Sequence, residues 1–210
     1  MTDAPLTTVE IEPKGAVRSS VISMHGLGAD ARDFEPIVPE LRLPDELGIR
    51  FVFPNAPIRP VTVNGGMRMR AWYDVLSMDL PRQEDPDGVY ASERGIYDLL
   101  EREKKRGVPA ERIVLAGFSQ GGAMALHTGL RYPERLAGIL ALSCYIPLAS
   151  KLSGERRPAN QKTPIFMAHG DYDAVIPMRY GQQSAESLEN LGYSVEWQDY
   201  GMGHEVCWEE

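Results

Sequence analysis

The sequence predicts an α/β fold with a mostly parallel central sheet and helices on both faces. Short apolar runs rich in β-branched residues alternate with longer amphipathic stretches, which is typical of parallel strands joined by crossover helices. Some runs are apolar at consecutive positions, as in residues 113–116 (Ile-Val-Leu-Ala). Because a strand with one solvated face alternates apolar and polar residues, a continuous apolar run indicates that both faces of the sheet are covered.

The apolar runs define the predicted strands, and the amphipathic stretches define the predicted helices. The predicted strands cover Ser19–Met24, Arg50–Phe53, Arg112–Gly117, Ala137–Ser143, Pro164–Ala168 and Ser194–Tyr200. The predicted helices cover Ala31–Leu41, Val89–Arg106, Gln120–Arg131 and Met178–Leu191. Gly192 is expected to end the last helix, since glycine readily adopts the left-handed conformation of a helix C-terminus.

Two segments lack a clear periodicity and are predicted to be loops. Residues 54–86 contain five prolines, and we expect a long ordered loop that forms a lid or borders an acyl pocket, because long loops in compact domains often cover binding sites. Flexible methionines beside a tryptophan suit an acyl chain, so the expected substrate-binding residues are Met67, Met69, Trp72 and Leu76. The alternative is a loop that packs these apolar residues against each other. Residues 151–162 are predicted to be a surface loop.

Composition and charge favour one cytoplasmic domain, residues 1–210, that acts on a small molecule. Its 43% hydrophobic and 25% charged residues are ordinary for a globular protein with a single core. The net charge of −8 disfavours nucleic acid and anionic lipid surfaces as partners, because like charges repel at long range. No apolar run resembles a signal peptide or a membrane span, and two cysteines are too few for a disulfide framework. We therefore expect a cytoplasmic protein without stable membrane insertion.

The segment Gly117-Phe118-Ser119-Gln120-Gly121 matches the pattern GxSxG where a predicted strand gives way to a predicted helix. In that context the pattern indicates a sharp turn that exposes the serine hydroxyl. The free N–H groups and the dipole of the following helix favour a developing oxyanion. Ser119 is therefore predicted to be a nucleophile. The alternative is an ordinary Gly-Ser turn in which Ser119 only caps the helix.

A serine nucleophile needs a base within hydrogen-bond reach, and three histidines follow Ser119 in the chain. His127 lies on the same helix, about 12 Å along its axis, which is too far for direct proton transfer. His204 lies in a glycine-rich loop after the last strand and is the predicted base. His169 directly follows a strand and is either the alternative base or a residue that shapes the turn carrying the acid.

The base needs a carboxylate that orients its ring, and Asp171 and Asp173 both follow a predicted strand. Asp173 lies further into the loop and is the predicted acid, whereas Asp171 suits a local turn. The oxyanion hole is predicted to use the backbone amides of Gln120 and Leu27. The alternative is that the glycines on either side of Leu27 only form a tight turn.

The sequence predicts neither a metal site nor a cofactor. The four histidines are scattered, without a paired spacing such as HExxH, and the two cysteines lie far apart. No P-loop is present, and no GxGxxG motif follows a predicted strand. The expected ligand is a small-molecule ester or acyl thioester that the predicted nucleophile can attack.

Several motifs together resemble those of the carboxylesterase and acyl-protein thioesterase family, also called the phospholipase/carboxylesterase family of α/β hydrolases. They are residues 25–28 (HGLG), 54–57 with 59–62 (PNAP and RPVT), 71–74 (AWYD), 117–122 (GFSQGG), 169–173 with 175–177 (HGDYD and VIP), and 203–206 (GHEV). The resemblance covers nearly the whole chain. It implies an α/β-hydrolase fold, a triad of Ser119, Asp173 and His204, and Leu27 and Gln120 as oxyanion donors.

The triad and the resemblance predict a serine carboxylesterase that hydrolyses short to medium acyl esters through an acyl-enzyme. The nearest alternative is an acyl-protein thioesterase or lysophospholipase acting on long acyl chains, since the resemblance places the loop around Trp72 beside the acyl pocket. An acyltransferase and an acyl-binding pseudo-hydrolase are two further candidates. Family members commonly form homodimers, which suggests a homodimer here. They usually continue into a terminal helix, whereas this chain ends six residues after His204, so we expect a short or truncated C-terminus.

Overall fold

The protein, described by a computed structural model over residues 5–77 and 84–207, is organised around one seven-stranded sheet. Its strands are β1 (Thr8–Ile11), β2 (Ser19–Met24), β3 (Ile49–Pro54), β6 (Ile113–Phe118), β7 (Gly138–Leu142), β8 (Ile165–Gly170) and β9 (Val195–Tyr200). They lie in the order β1-β3-β2-β6-β7-β8-β9. The β1–β3 pair is antiparallel and the other pairs are parallel. The predicted mostly parallel sheet is therefore confirmed.

The helices are α1 (Pro86–Lys105), α2 (Gln120–Arg131), α3 (Ala149–Glu155) and α4 (Met178–Asn190). Helix α1 begins before the predicted Val89 because Asp85 caps it, accepting a hydrogen bond from the Gly88 N–H at 2.9 Å. Gly192 has a φ of 82° just after α4, as expected for a C-terminal cap. Among the helices of the described residues, none combines the length and apolar character that crossing a membrane would require.

The predicted helix over residues 31–41 is shorter and tighter than expected. Only Glu35–Leu41 is helical, and it is a 3₁₀ helix. Pro39 lies inside it, and proline has no N–H and clashes with the carbonyl four residues earlier. Two prolines in this short segment therefore prevent a regular α-helix, and the sequence interpretation was wrong here.

Residues 151–162 are also more ordered than the predicted surface loop. They include most of α3 and a 3₁₀ turn at Pro158–Asn160. Asn160 is fully buried, and its side-chain oxygen accepts the Leu136 N–H at 2.9 Å. This segment therefore packs against the fold through a buried amide.

Part of the predicted loop over residues 54–86 is a β-hairpin. Strands β4 (Ile58–Val61) and β5 (Met67–Arg70) pair antiparallel. Gly65 and Gly66 both have positive φ in the turn that connects them, a conformation that glycine adopts without steric penalty. Residues 78–83 of the predicted loop lie outside the described residues. The hairpin was missed because Pro60 interrupts a short run, although a proline is tolerated in such an isolated pair of edge strands.

Apolar side chains cover both faces of the sheet, as strand β3 illustrates. Val52 faces the main core, which α1 and α2 help to form, whereas Phe51 and Phe53 face the opposite side, since successive side chains of a strand alternate. On that opposite side Val38 of the 3₁₀ helix and Phe34, which directly precedes the helix, cover them. Helix α2 packs on β6 and β7 with all of its residues buried.

The parallel strands place four loops at one edge of the sheet. Strands β2, β6, β8 and β9 run in the same direction. Since the carboxyl ends of parallel strands meet at the same edge, the loops that follow them converge, as is usual for binding sites in α/β sheets. The predicted functional residues all follow these four strands or belong to the hairpin segment.

Candidate active site

Ser119 lies on a strained turn between β6 and α2. Its φ of 54° is positive, which is rare for a residue other than glycine. A Cβ on Gly121 would lie 2.0 Å from the Met24 carbonyl oxygen, and one on Gly117 would lie 2.3 Å from the Gly121 carbonyl carbon. Only glycine fits at either position. The Ser119 hydroxyl makes no capping hydrogen bond to α2, which argues against the alternative of a capping serine.

His204 and Asp173 complete a hydrogen-bonded chain with Ser119. The His204 Nε2 lies 2.9 Å from the Ser119 Oγ, and its Nδ1 lies 2.6 Å from the Asp173 Oδ2. With one ring nitrogen facing an ionised carboxylate, the imidazole keeps a proton on Nδ1 and leaves Nε2 free to accept the serine proton. The three predicted residues are therefore brought together in the geometry that proton transfer requires.

Asp173 is held as a carboxylate by several donors. Its Oδ1 accepts the N–H groups of Val175 and Ile176 at 2.8 and 2.7 Å. Burial raises the pKa of Asp173, but hydrogen bonds from His169, His204 and the Ile176 N–H outweigh burial and hold the pKa well below its usual range. Asp171, the alternative acid, is exposed, and its N–H donates to the Tyr200 carbonyl.

The other two histidines after Ser119 lie away from its hydroxyl. The His169 Nε2 lies 3.3 Å from the Asp173 Oδ2 and 2.7 Å from the Ile176 carbonyl oxygen, so it contacts the predicted acid rather than the Ser119 hydroxyl. His127 is completely buried on α2, with its Nε2 3.6 Å from a Glu93 carboxylate oxygen. Burial lowers the pKa of His127 to about 3, which keeps this ring neutral.

The predicted oxyanion donors flank Ser119. Gln120 is the first residue of α2, where backbone N–H groups have no partner within the helix. A Cβ on Gly26, next to Leu27, would lie 3.5 Å from the Ser119 Cβ, so the Gly26–Leu27 peptide is adjacent to Ser119. Both predicted donors therefore lie next to Ser119, as an oxyanion hole for a carbon bound to Ser119 requires.

The Gln120 side chain has a second set of contacts that the sequence did not indicate. Its Oε1 accepts the Trp72 N–H, and its Nε2 donates to the Tyr73 carbonyl oxygen, both at 2.8 Å. The side chain thus binds the segment that follows the hairpin. Only the three-dimensional structure brings these residues together, so motif spacing carried no signal for this contact.

A cleft of about 260 Å³ opens beside Ser119 and His204. Its apolar and aromatic wall comprises Leu27, Tyr73, Val75, Tyr145, Val175 and Ile176. In the part of the chain that the structure describes, no three His, Cys, Asp or Glu side chains are grouped as metal ligands. The cleft therefore places the Ser119 hydroxyl and the His204 ring beside a largely apolar wall, an arrangement that suits attack on the carbonyl of an acyl group.

The four predicted substrate-binding residues do not form this wall, which corrects the expectation. Trp72 is completely buried behind it and donates from Nε1 to the His25 carbonyl oxygen at 2.9 Å. Met67 is 64% exposed on the hairpin, and Met69 packs beside Val61, Ala71 and Val75, as the alternative of a self-packed loop predicted. Leu76 is half-buried beyond Val75. The same segment contributes Tyr73 and Val75 to the wall instead, because backbone direction, and not composition, decides which side chains face the cleft.

Comparisons with known proteins show the family to which the chain belongs. A family model described as Phospholipase/Carboxylesterase matches residues 7–210. Acyl-protein thioesterase 1 of Neurospora crassa is 42% identical over 201 residues, which cover 91% of this chain and 82% of the relative. Acyl-protein thioesterase 1 of Mycosarcoma maydis is 38% identical over 222 residues, covering 98% and 92%.

Solved structures show the same fold. Arabidopsis thaliana SOBER1 superposes with a TM-score of 0.87 at 30% identity, covering 92% of this chain and 93% of that one. Zea mays acyl-protein thioesterase 2 gives 0.84 at 29% identity, covering 97% and 94%. The chain is thus an α/β hydrolase and belongs to the phospholipase/carboxylesterase family, as its motifs suggested.

Proposed function

We propose that the protein is an acyl-protein thioesterase in which Ser119 is the nucleophile, His204 the base and Asp173 the acid. The observation that carries the proposal is the hydrogen-bonded chain of 2.9 and 2.6 Å from Ser119 through His204 to Asp173. The names of the fungal relatives favour the thioesterase over a carboxylesterase for short to medium acyl esters, which the sequence alone had favoured.

In the first half-reaction, His204 Nε2 accepts the hydroxyl proton while the Ser119 Oγ attacks the acyl carbon. The carbonyl electrons move onto oxygen, which the N–H groups of Gln120 and Leu27 stabilise. When the intermediate collapses, the C–S bond breaks and the thiol leaves with the proton from the His204 imidazolium. Water, deprotonated by His204, then attacks the acyl carbon. The bond from that carbon to the Ser119 Oγ breaks, the Oγ takes the proton back from His204, and the carboxylic acid is released. Asp173 remains ionised throughout and stabilises the imidazolium.

The cleft and the leaving group support thioesters as substrates. A cysteine thiol has a pKa of about 8.5, so a thiolate needs less proton donation from His204 than an alkoxide does. The apolar wall around Val75 and Ile176 can hold the acyl chain, whose burial from water is favourable. We therefore assign S-acylated cysteine side chains of proteins as the substrate class.

The proposed compartment is the cytoplasm. Cys144 and Cys207 are both free thiols, which is typical of proteins in reducing compartments. The homodimer that the resemblance suggested stays a prediction.

The test of the proposed function compares two substrate series on the wild type and on Ser119→Ala. One series is p-nitrophenyl esters from acetate to palmitate, and the other is S-acyl cysteine peptides with the same chains. We expect thioester hydrolysis that favours long chains, and a fall in kcat of about a million-fold in Ser119→Ala, as when other serine triads lose their nucleophile. The matched control is Ser153→Ala, an exposed serine on α3, with unchanged activity.

A fluorophosphonate probe provides an independent readout of the nucleophile. The probe should label the wild type and Ser153→Ala but not Ser119→Ala. Full activity in Ser119→Ala would show that another residue is the nucleophile. A preference for acetate esters with no thioester hydrolysis would instead support the hypothesis of a short-chain carboxylesterase.

A further inference from the structure

His25 directly follows β2 and precedes Gly26 and Leu27. Its ring is not part of the proposed triad. The side chain is buried, with 2% of the residue exposed. Buried polar rings are normally hydrogen-bonded, and both ring nitrogens of His25 have backbone partners. These partners determine which ring nitrogen carries the proton and which peptide group accepts it.

The partners assign the proton on the His25 ring. Nε2 lies 3.0 Å from the Ala56 backbone nitrogen, and because that N–H can only donate, Nε2 must be the unprotonated acceptor. Nδ1 then carries the proton and donates it to the Gly26 carbonyl oxygen at 2.7 Å. Burial lowers the pKa of His25, which favours this neutral form.

The Gly26 carbonyl belongs to the same peptide group as the Leu27 N–H. In a planar trans peptide the C=O and the N–H point in opposite directions. Whatever fixes the direction of the Gly26 oxygen therefore also fixes the direction of the Leu27 N–H. Leu27 lines the cleft, and Gly26 is adjacent to Ser119 as described above.

The ring is itself held by two other segments. Ala56 follows β3 and is completely buried, and Trp72 follows the hairpin. The Trp72 Nε1 donates to the His25 carbonyl oxygen at 2.9 Å, and the two rings pack with their centroids 5.4 Å apart. The Gly26 oxygen also accepts the Ala29 N–H, at a longer 3.3 Å. The contact from His25 is thus the shorter of the two on that oxygen and the one anchored in the core.

We propose that His25 is a positioning residue that orients the Gly26–Leu27 peptide as an oxyanion donor before substrate binds. Its Nδ1–H holds the Gly26 oxygen on the core side, so that the Leu27 N–H points into the cleft. Donors that are oriented in advance need no reorganisation when charge develops on the substrate oxygen. The inference rests on the proposed function, because it requires an oxyanion on a carbon bound to Ser119.

The test compares His25→Leu with His25→Asn. Leucine fills the space but cannot donate, whereas the asparagine Nδ2 can occupy the place of Nδ1 and donate to the Gly26 oxygen. We expect kcat to fall about 10- to 100-fold in His25→Leu, less than the loss of a whole donor, with KM changed by no more than about threefold. His25→Asn should recover most of this loss.

A readout specific to the oxyanion separates positioning from general damage. A trifluoromethyl ketone forms a tetrahedral adduct with the serine, so its inhibition constant should rise by the same factor by which kcat/KM falls. Fluorophosphonate titration gives the fraction of functional sites. A His25→Leu protein with wild-type kcat, or with a loss explained entirely by fewer titratable sites, would overturn the proposal.

Nitrogen-15 NMR of the wild type tests the tautomer even where His25→Leu fails to fold. We expect a protonated Nδ1 and an unprotonated Nε2, and the reverse pattern would overturn the proposal. Ser119→Ala separates this inference from the proposed function. Activity that survives in Ser119→Ala contradicts the proposed function, whereas an inactive Ser119→Ala beside a fully active His25→Leu contradicts only the role of His25.

Discussion

The turn at Ser119 and the segment of residues 72–75, in which Tyr73 and Val75 form part of the cleft wall, lie side by side, yet they are held in different ways. Backbone packing holds the turn, where a Cβ on Gly121 would lie 2.0 Å from a carbonyl oxygen. Side-chain hydrogen bonds hold the wall: Gln120 binds the Trp72 N–H and the Tyr73 oxygen, while Asp74 accepts the Thr62 N–H at 2.7 Å. In the proposed reaction, the position of the nucleophile would therefore depend on glycines that cannot change, and the substrate selectivity on contacts that single substitutions can weaken.

The largest effect is expected for Gly121→Ala in the turn. The added methyl would collide with the Met24 carbonyl, so the turn must move and Ser119 must leave His204. We expect no measurable turnover and a lower Tm, since overpacking typically costs about 1–3 kcal/mol. The matched control is Gly154→Ala in α3, where a Cβ meets nothing within 4 Å, with activity and Tm retained. Wild-type turnover in Gly121→Ala would contradict the view that backbone packing fixes the turn.

An intermediate effect is expected for Gln120→Ala, which joins the two regions. The substitution keeps the backbone N–H but removes two hydrogen bonds to the wall, each with a typical net contribution of about 1 kcal/mol. We expect kcat/KM for long-chain thioesters to fall about 10- to 30-fold, and Tm to fall by a few degrees. Steady-state kinetics and thermal melts measure both effects. If only Tm falls, the wall is held by its other contacts.

The smallest effect is expected for Val75→Ala in the wall. Val75 lines the cleft and is 4% exposed, so its truncation widens the space for the acyl chain. We expect the preferred chain to lengthen, with kcat/KM changed by no more than about tenfold at any chain length. Met67→Ala is the control, since Met67 is 64% exposed, and its chain-length profile should match the wild type. A shift in the Met67→Ala profile instead would favour the sequence-based assignment of Met67 to the acyl pocket.

The turn at Ser119 and the loops beside it could be predicted from the sequence, because local residue types determine their backbone conformation. Six strands, the turn at Ser119 and the loops of Asp173 and His204 leave local signals: apolar runs, glycines and acids or bases after strands. Parallel pairing brings those loops to one edge, so residues far apart in sequence could be placed together.

The wall was predicted less well, because its order comes from contacts between distant segments. Trp72 was expected to touch substrate but is completely buried. Its backbone N–H donates to the Gln120 side chain and its ring N–H to the His25 carbonyl oxygen. Neither contact has a sequence signature. The helix predicted over Ala31–Leu41 is a 3₁₀ helix over Glu35–Leu41, because Pro39 lies inside it and cannot donate a backbone hydrogen bond.

Gln120 has its backbone in the turn and its side chain on the wall, so the two regions cannot move independently. An acyl chain that fits poorly would displace Tyr73. Because the Gln120 side-chain amide is hydrogen-bonded to the Tyr73 carbonyl oxygen, Gln120 would be displaced as well. The Gln120 N–H would then be misplaced relative to the reacting oxygen. Such a chain would still bind but would react slowly, so substrates would be sorted during the chemical step rather than on binding.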